Sequence, residues 1–242
     1  MCGRFNLRLS PTELQEFFDL FRAPEVVPRF NIAPLQPVLT VTVEEAGYRA
    51  GKFRQWGFLP SWAKAPAEGA HMINARSESA ASKPAFHTAF RLRRCLIPAS
   101  GFYEWERIDK RTVQPWHITL RSGEPMAFAG LWERWTGPDQ RVLETCTILT
   151  TAANDFMAAL HDRMPVILPR AAFSTWLDPL LTDPEALAPW LVPCPADWLT
   201  RTPVSTAVNH VRNDGPECLL PAQRQRSLFD NDLSSDSPGP RG

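Results

Sequence analysis

From Val38 onward the chain keeps returning to one pattern, apolar residues at every second position in short runs. Leu39, Val41 and Val43 alternate with Thr40 and Thr42; a turn at 44–47 then leads into a second run over 48–58. Side chains alternate across a strand, so this period suits a half-buried sheet and not a helix. The pattern returns at 95–97, 101–107, 116–120, 126–132 and 142–150. Runs this short, separated by turns, predict hairpins that curve towards closure. One helix is well signalled ahead of them. Ser10 reads as its N-cap, Pro11 as its first residue and Glu13 as the capping-box partner, with Leu14, Phe17, Phe18 and Phe21 on one face. Shorter helices are expected near 154–160, near 170–177 and after Asp183-Pro184. The expected fold class is therefore α+β: a β-rich single domain with a curved antiparallel sheet or barrel-like core and a few peripheral helices.

Composition narrows the function classes. With 242 residues, 44% of them hydrophobic, the chain can bury a substantial core. It has no 18-residue apolar run and no charged-then-apolar leader, which predicts a cytoplasmic protein. Five scattered cysteines without a C-x-x-C pair argue against a disulfide framework and a zinc site, and no metal or other cofactor is expected. The net charge is zero, yet residues 1–120 are basic and 121–242 acidic. Arginine dominates the basic residues; its planar fork suits phosphate, although a GC-rich genome gives the same bias. After Pro221 the composition turns to Ser, Asp, Pro and Gly, which predicts a domain over 1–221 and a disordered tail over 222–242.

Several residues carry candidate chemistry. Cys2 follows the initiator Met, and removal of that Met leaves a free α-amine and a thiol on adjacent carbons. The pair can condense with an aldehyde through the amine or attack a carbonyl through the thiol; Cys2 is otherwise a small residue at an ordinary chain start. Asn74 and Arg76 fall on one side of an extended stretch, setting an amide beside a guanidinium. Glu104 shares its strand face with Phe102, which favours desolvation and a raised pKa, unless it lies at a wetted rim. His161 follows a helical segment, where it can serve in acid–base chemistry or as a helix cap, with Arg163 two residues on. Trp62 lies in a loop, suited to stacking on a base or to closing the edge of a core.

Six segments occur in a telling order: MCGRF at the start, RFNIAP at 29–34, NARSE at 74–78, GFYEW at 101–105, HDRMP at 161–165 and PVSTAVN at 203–209. In these the chain resembles the SOS-response-associated peptidase (SRAP) family, whose members sense abasic sites and crosslink to DNA. The resemblance implies a single-strand-binding cleft and a thiazolidine formed between Cys2 and the opened abasic sugar. It also implies roles for Asn74 in holding the reacting groups, for Glu104 in moving protons, and for His161 in opening the deoxyribose. Arg4, Arg76 and Arg163 become phosphate contacts, and Pro34 with Trp62 a stacking wedge at a strand junction. The expected partner is single-stranded DNA bearing abasic sites, bound by a monomer associated with the nucleoid, and a lyase- or peptidase-type activity goes with the family. Two alternatives stand beside this reading: a cysteine peptidase or amidohydrolase with an N-terminal nucleophile, and a non-covalent single-strand binder. In the tail, Gln225, Leu228 and Phe229 resemble the peptide by which bacterial repair proteins dock on the DNA sliding clamp.

Overall fold

The computed structural model describes residues 2–69, 71–110 and 112–222. The tail from residue 223 on, with Gln225, Leu228 and Phe229, lies outside them. In chain order the strands are β1 (Phe5–Leu7), β2 (Arg29–Ile32), β3 (Pro37–Val43), β4 (Arg49–Trp56), β5 (Asn74–Arg76), β6 (Arg94–Ala99), β7 (Gly101–Arg107), β8 (Val113–Leu120), β9 (Met126–Thr136), β10 (Val142–Ala152), β11 (Arg163–Pro165) and β12 (Leu199–Pro203). β10, β4, β3, β6 and β9 pair in succession, and β9 pairs back onto β10, which closes a five-strand barrel. The remaining sheet runs β12-β8-β7-β1-β2. This is the barrel-like α+β core that the alternating runs predict.

Pairing in the barrel is not wholly antiparallel. β10 runs parallel to β4 at Thr145–Gln55 and parallel to β5 over Ile148–Asn74 to Thr150–Arg76. Alternation along a strand reports which face is buried and is blind to the direction of its neighbour. Phe5 joins the two sheets: its ring lies 5.3 Å from Trp56 of β4 and 5.8 Å from Phe128 of β9. Phe102 reaches the same Phe128 at 6.1 Å. The strand that follows Cys2 is thereby held against the barrel through an aromatic contact.

The helices are short. α1 (Pro11–Phe18) has the expected capping box, with Ser10 and Glu13 bonded reciprocally. Asp19 then turns left-handed at φ 55°, so the helix stops before Phe21. Phe21 is 74% exposed and packs on Tyr48, which corrects its expected place on the buried face. Two helices follow β5 without a sequence-based expectation, α2 (Ser77–Ala80) and α3 (His87–Leu92). The helix expected over 154–160 is a single turn, α4 (Asp155–Ala158), capped by Asn154. α5 (Phe173–Leu177) and α6 (Pro184–Leu187) lie where expected, each joined to a 3-10 turn. Among the described residues, no helix is long and apolar enough to cross a membrane.

Candidate functional site

β1 is only three residues long, yet it sits inside its sheet between β2 and β7. Its register with β7 sets Phe5 opposite Phe102 and Asn6 opposite Gly101, and the Tyr103 amide donates to the Arg4 carbonyl at 2.9 Å. Gly101 is required here, since a Cβ would stand 2.4 Å from His117 Nε2. Behind this pairing, the buried Asn6 amide bonds the Tyr103 hydroxyl (3.0 Å) and His117 Nε2 (2.7 Å), and the hydroxyl donates to the Phe30 carbonyl (2.6 Å). A ring nitrogen that accepts from an amide belongs to a neutral imidazole; burial pushes His117 down to about 4.

These contacts carry the chain back to a fully buried Cys2. Asn74, brought alongside by the parallel β5–β10 pairing, donates from Nδ2 to the Cys2 carbonyl at 2.9 Å. Its Oδ1 is buried and bonds no described residue. Glu104, 5% exposed on β7, is raised in pKa by burial, and the nearby Asp162 carboxylate adds to the shift. Burial, with the Glu104 charge second, pushes the Cys2 thiol well above its ordinary value.

His161 enters from the loop between α4 and β11. Its Nδ1 accepts the Arg163 backbone N–H at 2.9 Å and lies 2.7 Å from Asp162 Oδ1. The Arg163 N–H bonds Nδ1 when that nitrogen is bare and Asp162 meets it when it is protonated, so the ring is placed to release or take up a proton there. Partial burial lowers its pKa, offset in part by Asp162. Cys2, Asn74, Glu104 and His161, scattered over 160 residues of sequence, thus converge where the barrel meets the second sheet. β10 is the spine of the arrangement: it carries Asn74 and Arg76 through β5 on one side and Arg163 through β11 on the other.

The three candidate arginines differ in their surroundings. Arg76 is exposed and forms no side-chain bond with a described residue. Arg4 donates to Asn31 Oδ1 (2.8 Å) and the Val208 carbonyl (2.9 Å) and lies over the Trp105 ring. Arg163 forks onto Glu78 at 2.6 and 2.8 Å and donates to the Thr150 carbonyl at 2.6 Å. Those bonds hold the Glu78 carboxyl below its usual range. Trp62 is 62% exposed in a turn, and Pro34 occupies the turn that leaves β2, where Leu35 adopts φ 69°. Neither residue touches the Cys2 cluster through a hydrogen bond or a ring contact among the described residues.

Sequence reasoning passed over the clasp that holds Arg4. The buried Asn31 amide donates to the carbonyls of Val208, His210 and Asn213, while Asp214 accepts from the Phe30 and Asn31 amides. An asparagine between the apolar Phe30 and Ile32, in the segment RFNIAP, was the available signal. All five cysteines are free and buried, and among the described residues no three His, Cys, Asp or Glu side chains gather to hold a metal.

Known proteins resemble this chain in sequence and in fold. The chain is 43% identical to the abasic site processing protein YoqW of Bacillus subtilis, over 90% of this chain and 99% of the relative. It is 30% identical to the abasic site processing protein YedK of Escherichia coli, over 91% and 100% respectively. A crystal structure of a protein from Bacteroides thetaiotaomicron shares the fold with a TM-score of 0.82 at 20% identity, covering 92% of this chain and 100% of that one. One from Bordetella bronchiseptica gives 0.73 at 26%, over 84% and 100%. Residues 1–211 match the family described as SOS response associated peptidase, and the chain belongs to that SRAP family.

Proposed function

We propose that this protein processes abasic sites in single-stranded DNA by crosslinking to them through Cys2. The observation that carries this reading is the 2.9 Å bond from Asn74 to the Cys2 carbonyl, which fixes a candidate nucleophile beside a desolvated carboxyl group. Once Met1 is removed, the Cys2 α-amine adds to the aldehyde carbon of the opened sugar, and the carbinolamine loses water to give an imine. The thiol then adds to the imine carbon and its proton passes to nitrogen, closing a thiazolidine. The net change is aldehyde plus aminothiol to ring plus water.

The raised thiol pKa supports the amine-first order, because a buried thiol is a poor nucleophile until a base takes its proton. The same fact disfavours a cysteine peptidase that attacks an amide through a preformed thiolate. Glu104, its pKa raised, is suited to protonate the departing hydroxyl and then to accept the thiol proton. The His161 imidazole is suited to donate a proton during ring opening of the sugar, a lyase-type step. Asn74 Oδ1 offers a buried acceptor to the incoming hydroxyl or amine. Arg76, with Arg4 and Arg163, is assigned to the phosphates, and Trp62 with Pro34 to the stacked bases. Removal of Met1, by peptidase-type self-processing or by an ordinary aminopeptidase, and docking of Gln225, Leu228 and Phe229 on a sliding clamp complete the proposal.

Incubation with abasic and intact single strands, followed by denaturing electrophoresis, tests it. A heat-resistant shifted band is expected with the abasic strand alone, and blocking the Cys2 amine with a retained Met1 is expected to abolish it. Cys2→Ser keeps an amine but no thiol, so its adduct should survive only after borohydride reduction. No band from the wild-type protein rejects the reading, and a stable unreduced adduct from Cys2→Ser rejects the ring closure.

A further inference from the structure

Arg163 does not hang free over the site. Two of its N–H groups meet both oxygens of Glu78, a third reaches the Thr150 carbonyl, and only 13% of its side chain is exposed. Glu78 lies in the first turn of α2, directly after the Asn74–Arg76 strand, whereas Arg163 begins β11 on the opposite flank of β10. The guanidinium therefore reaches across β10 and ties β11 to the helix that follows β5. One N–H on Nη1 remains uncommitted, and the buried Nε has no hydrogen-bond partner among the described residues.

Arginine carries considerable rotamer freedom, which a flexible side chain loses on gripping a phosphate. A forked carboxylate removes that freedom beforehand and leaves one fixed Nη1–H for a ligand. We infer that Glu78 is a positioning residue for DNA, which pre-orders Arg163 so that its uncommitted Nη1–H meets a backbone phosphate. The inference rests on the proposed assignment of Arg163 to phosphate and extends it to an acidic residue, on which simple electrostatics makes the opposite prediction. A carboxylate on a DNA-binding surface ordinarily repels the strand, and its removal strengthens binding.

The sign of the effect decides between them. With an intact single-stranded oligonucleotide, so that no crosslink enters the measurement, Glu78→Ala is expected to bind roughly three- to tenfold more weakly. The slope of log affinity against log salt should fall by about 0.7, the share of one single-strand phosphate. Arg163→Ala should show the same two changes, and the double variant should be no worse than either, because both remove one unit. Thermal melting checks that each variant is folded, and Glu78→Gln, which keeps one acceptor, should lose less. Tighter or unchanged binding by Glu78→Ala, with Arg163→Ala weakened, overturns the inference and leaves the proposed function standing. Unchanged binding by Arg163→Ala removes the phosphate assignment and this inference together. A wild-type protein that binds no single strand rejects the functional reading itself.

Discussion

The five-strand barrel and the sheet beside it bury their strands in different company. In the barrel Val41, Leu96, Ala129, Leu131 and Ile148 are fully enclosed, and the buried charges are partnered: Arg54 by Glu144 at 3.2 Å, Glu133 by Arg93 at 2.7 Å, and Arg94 by the Phe90 and Trp176 carbonyls. In the second sheet the buried side chains of β1, β7 and β8 include Asn6, Glu104 and His117. Two of these are titratable groups held away from their ordinary pKa values. Burying such groups costs free energy, and well-packed apolar strands next door offset it. The difference assigns stability mainly to the enclosed strands of the barrel and proton-moving chemistry to the second sheet, with Asn74 brought in along the barrel's β10 edge.

That division breaks if one substitution moves both quantities. Glu104→Gln is expected to slow adduct formation by about 100- to 10,000-fold. It should leave stability at neutral pH equal or slightly higher, because burial penalises the charged carboxylate that Gln replaces. Leu96→Ala, at the centre of β6 between Val41 and Ala129, should do the reverse. It should cost about 2–5 kcal/mol of stability and leave the rate per folded molecule unchanged. Single-turnover gels and urea unfolding read the two quantities separately. A Leu96→Ala protein that is folded but crosslinks a hundredfold more slowly would put the barrel inside the mechanism.

Legibility in the sequence follows the same boundary. The barrel strands announced themselves by period-2 alternation of apolar residues, although β3, β6, β9 and β10 are buried on both faces along most of their length. β1, β5 and β11 did not, since three residues are too few to show a period; they are strands because longer neighbours hold them. Cys2, Asn74, Glu104 and His161 were singled out by residue type and by their motifs. Their convergence was not readable, since it depends on the parallel placement of β5 on β10. Phe21 was misplaced because hydrophobic spacing continues past a helix end that the left-handed turn at Asp19 imposes. Arg4 and Arg163 were legible as cations, whereas their partners Asn31, Val208 and Glu78 lie 27, 204 and 85 residues away in sequence.

A smaller effect sharpens the account of the second sheet. His117 faces Asn6 and Tyr103, with the Arg8 charge nearby, and stays neutral in the folded protein down to about pH 4. An unfolded histidine takes up its proton near pH 6.5. As the pH falls through that window the unfolded state binds the extra proton, so stability declines by at most about 3 kcal/mol between pH 6.5 and 4. His117→Gln should flatten this part of the wild-type stability profile, measured by urea unfolding at half-unit intervals. Equal slopes for the two proteins would mean that the imidazole is not the buried neutral group described here.

The smallest expected effect falls on Trp62, which belongs to neither region. It stands in a turn with 62% of its surface exposed and bonds no described residue. An indole so placed adds little to folding, so Trp62→Ala should leave the melting temperature unchanged. Base stacking on an aromatic ring contributes about 1–3 kcal/mol, and an exposed loop ring belongs at the low end. Trp62→Ala should therefore weaken single-strand binding by roughly fivefold, with the salt dependence unaltered because no phosphate contact is lost. This separates stacking from the arginine contacts, whose loss lowers the salt slope. The loss should be greatest where a single strand meets a duplex, because a wedge stacks on the terminal pair. Affinity indistinguishable from wild type on both single-stranded and junction substrates would remove Trp62 from the DNA path and leave Pro34 without a partner in the wedge.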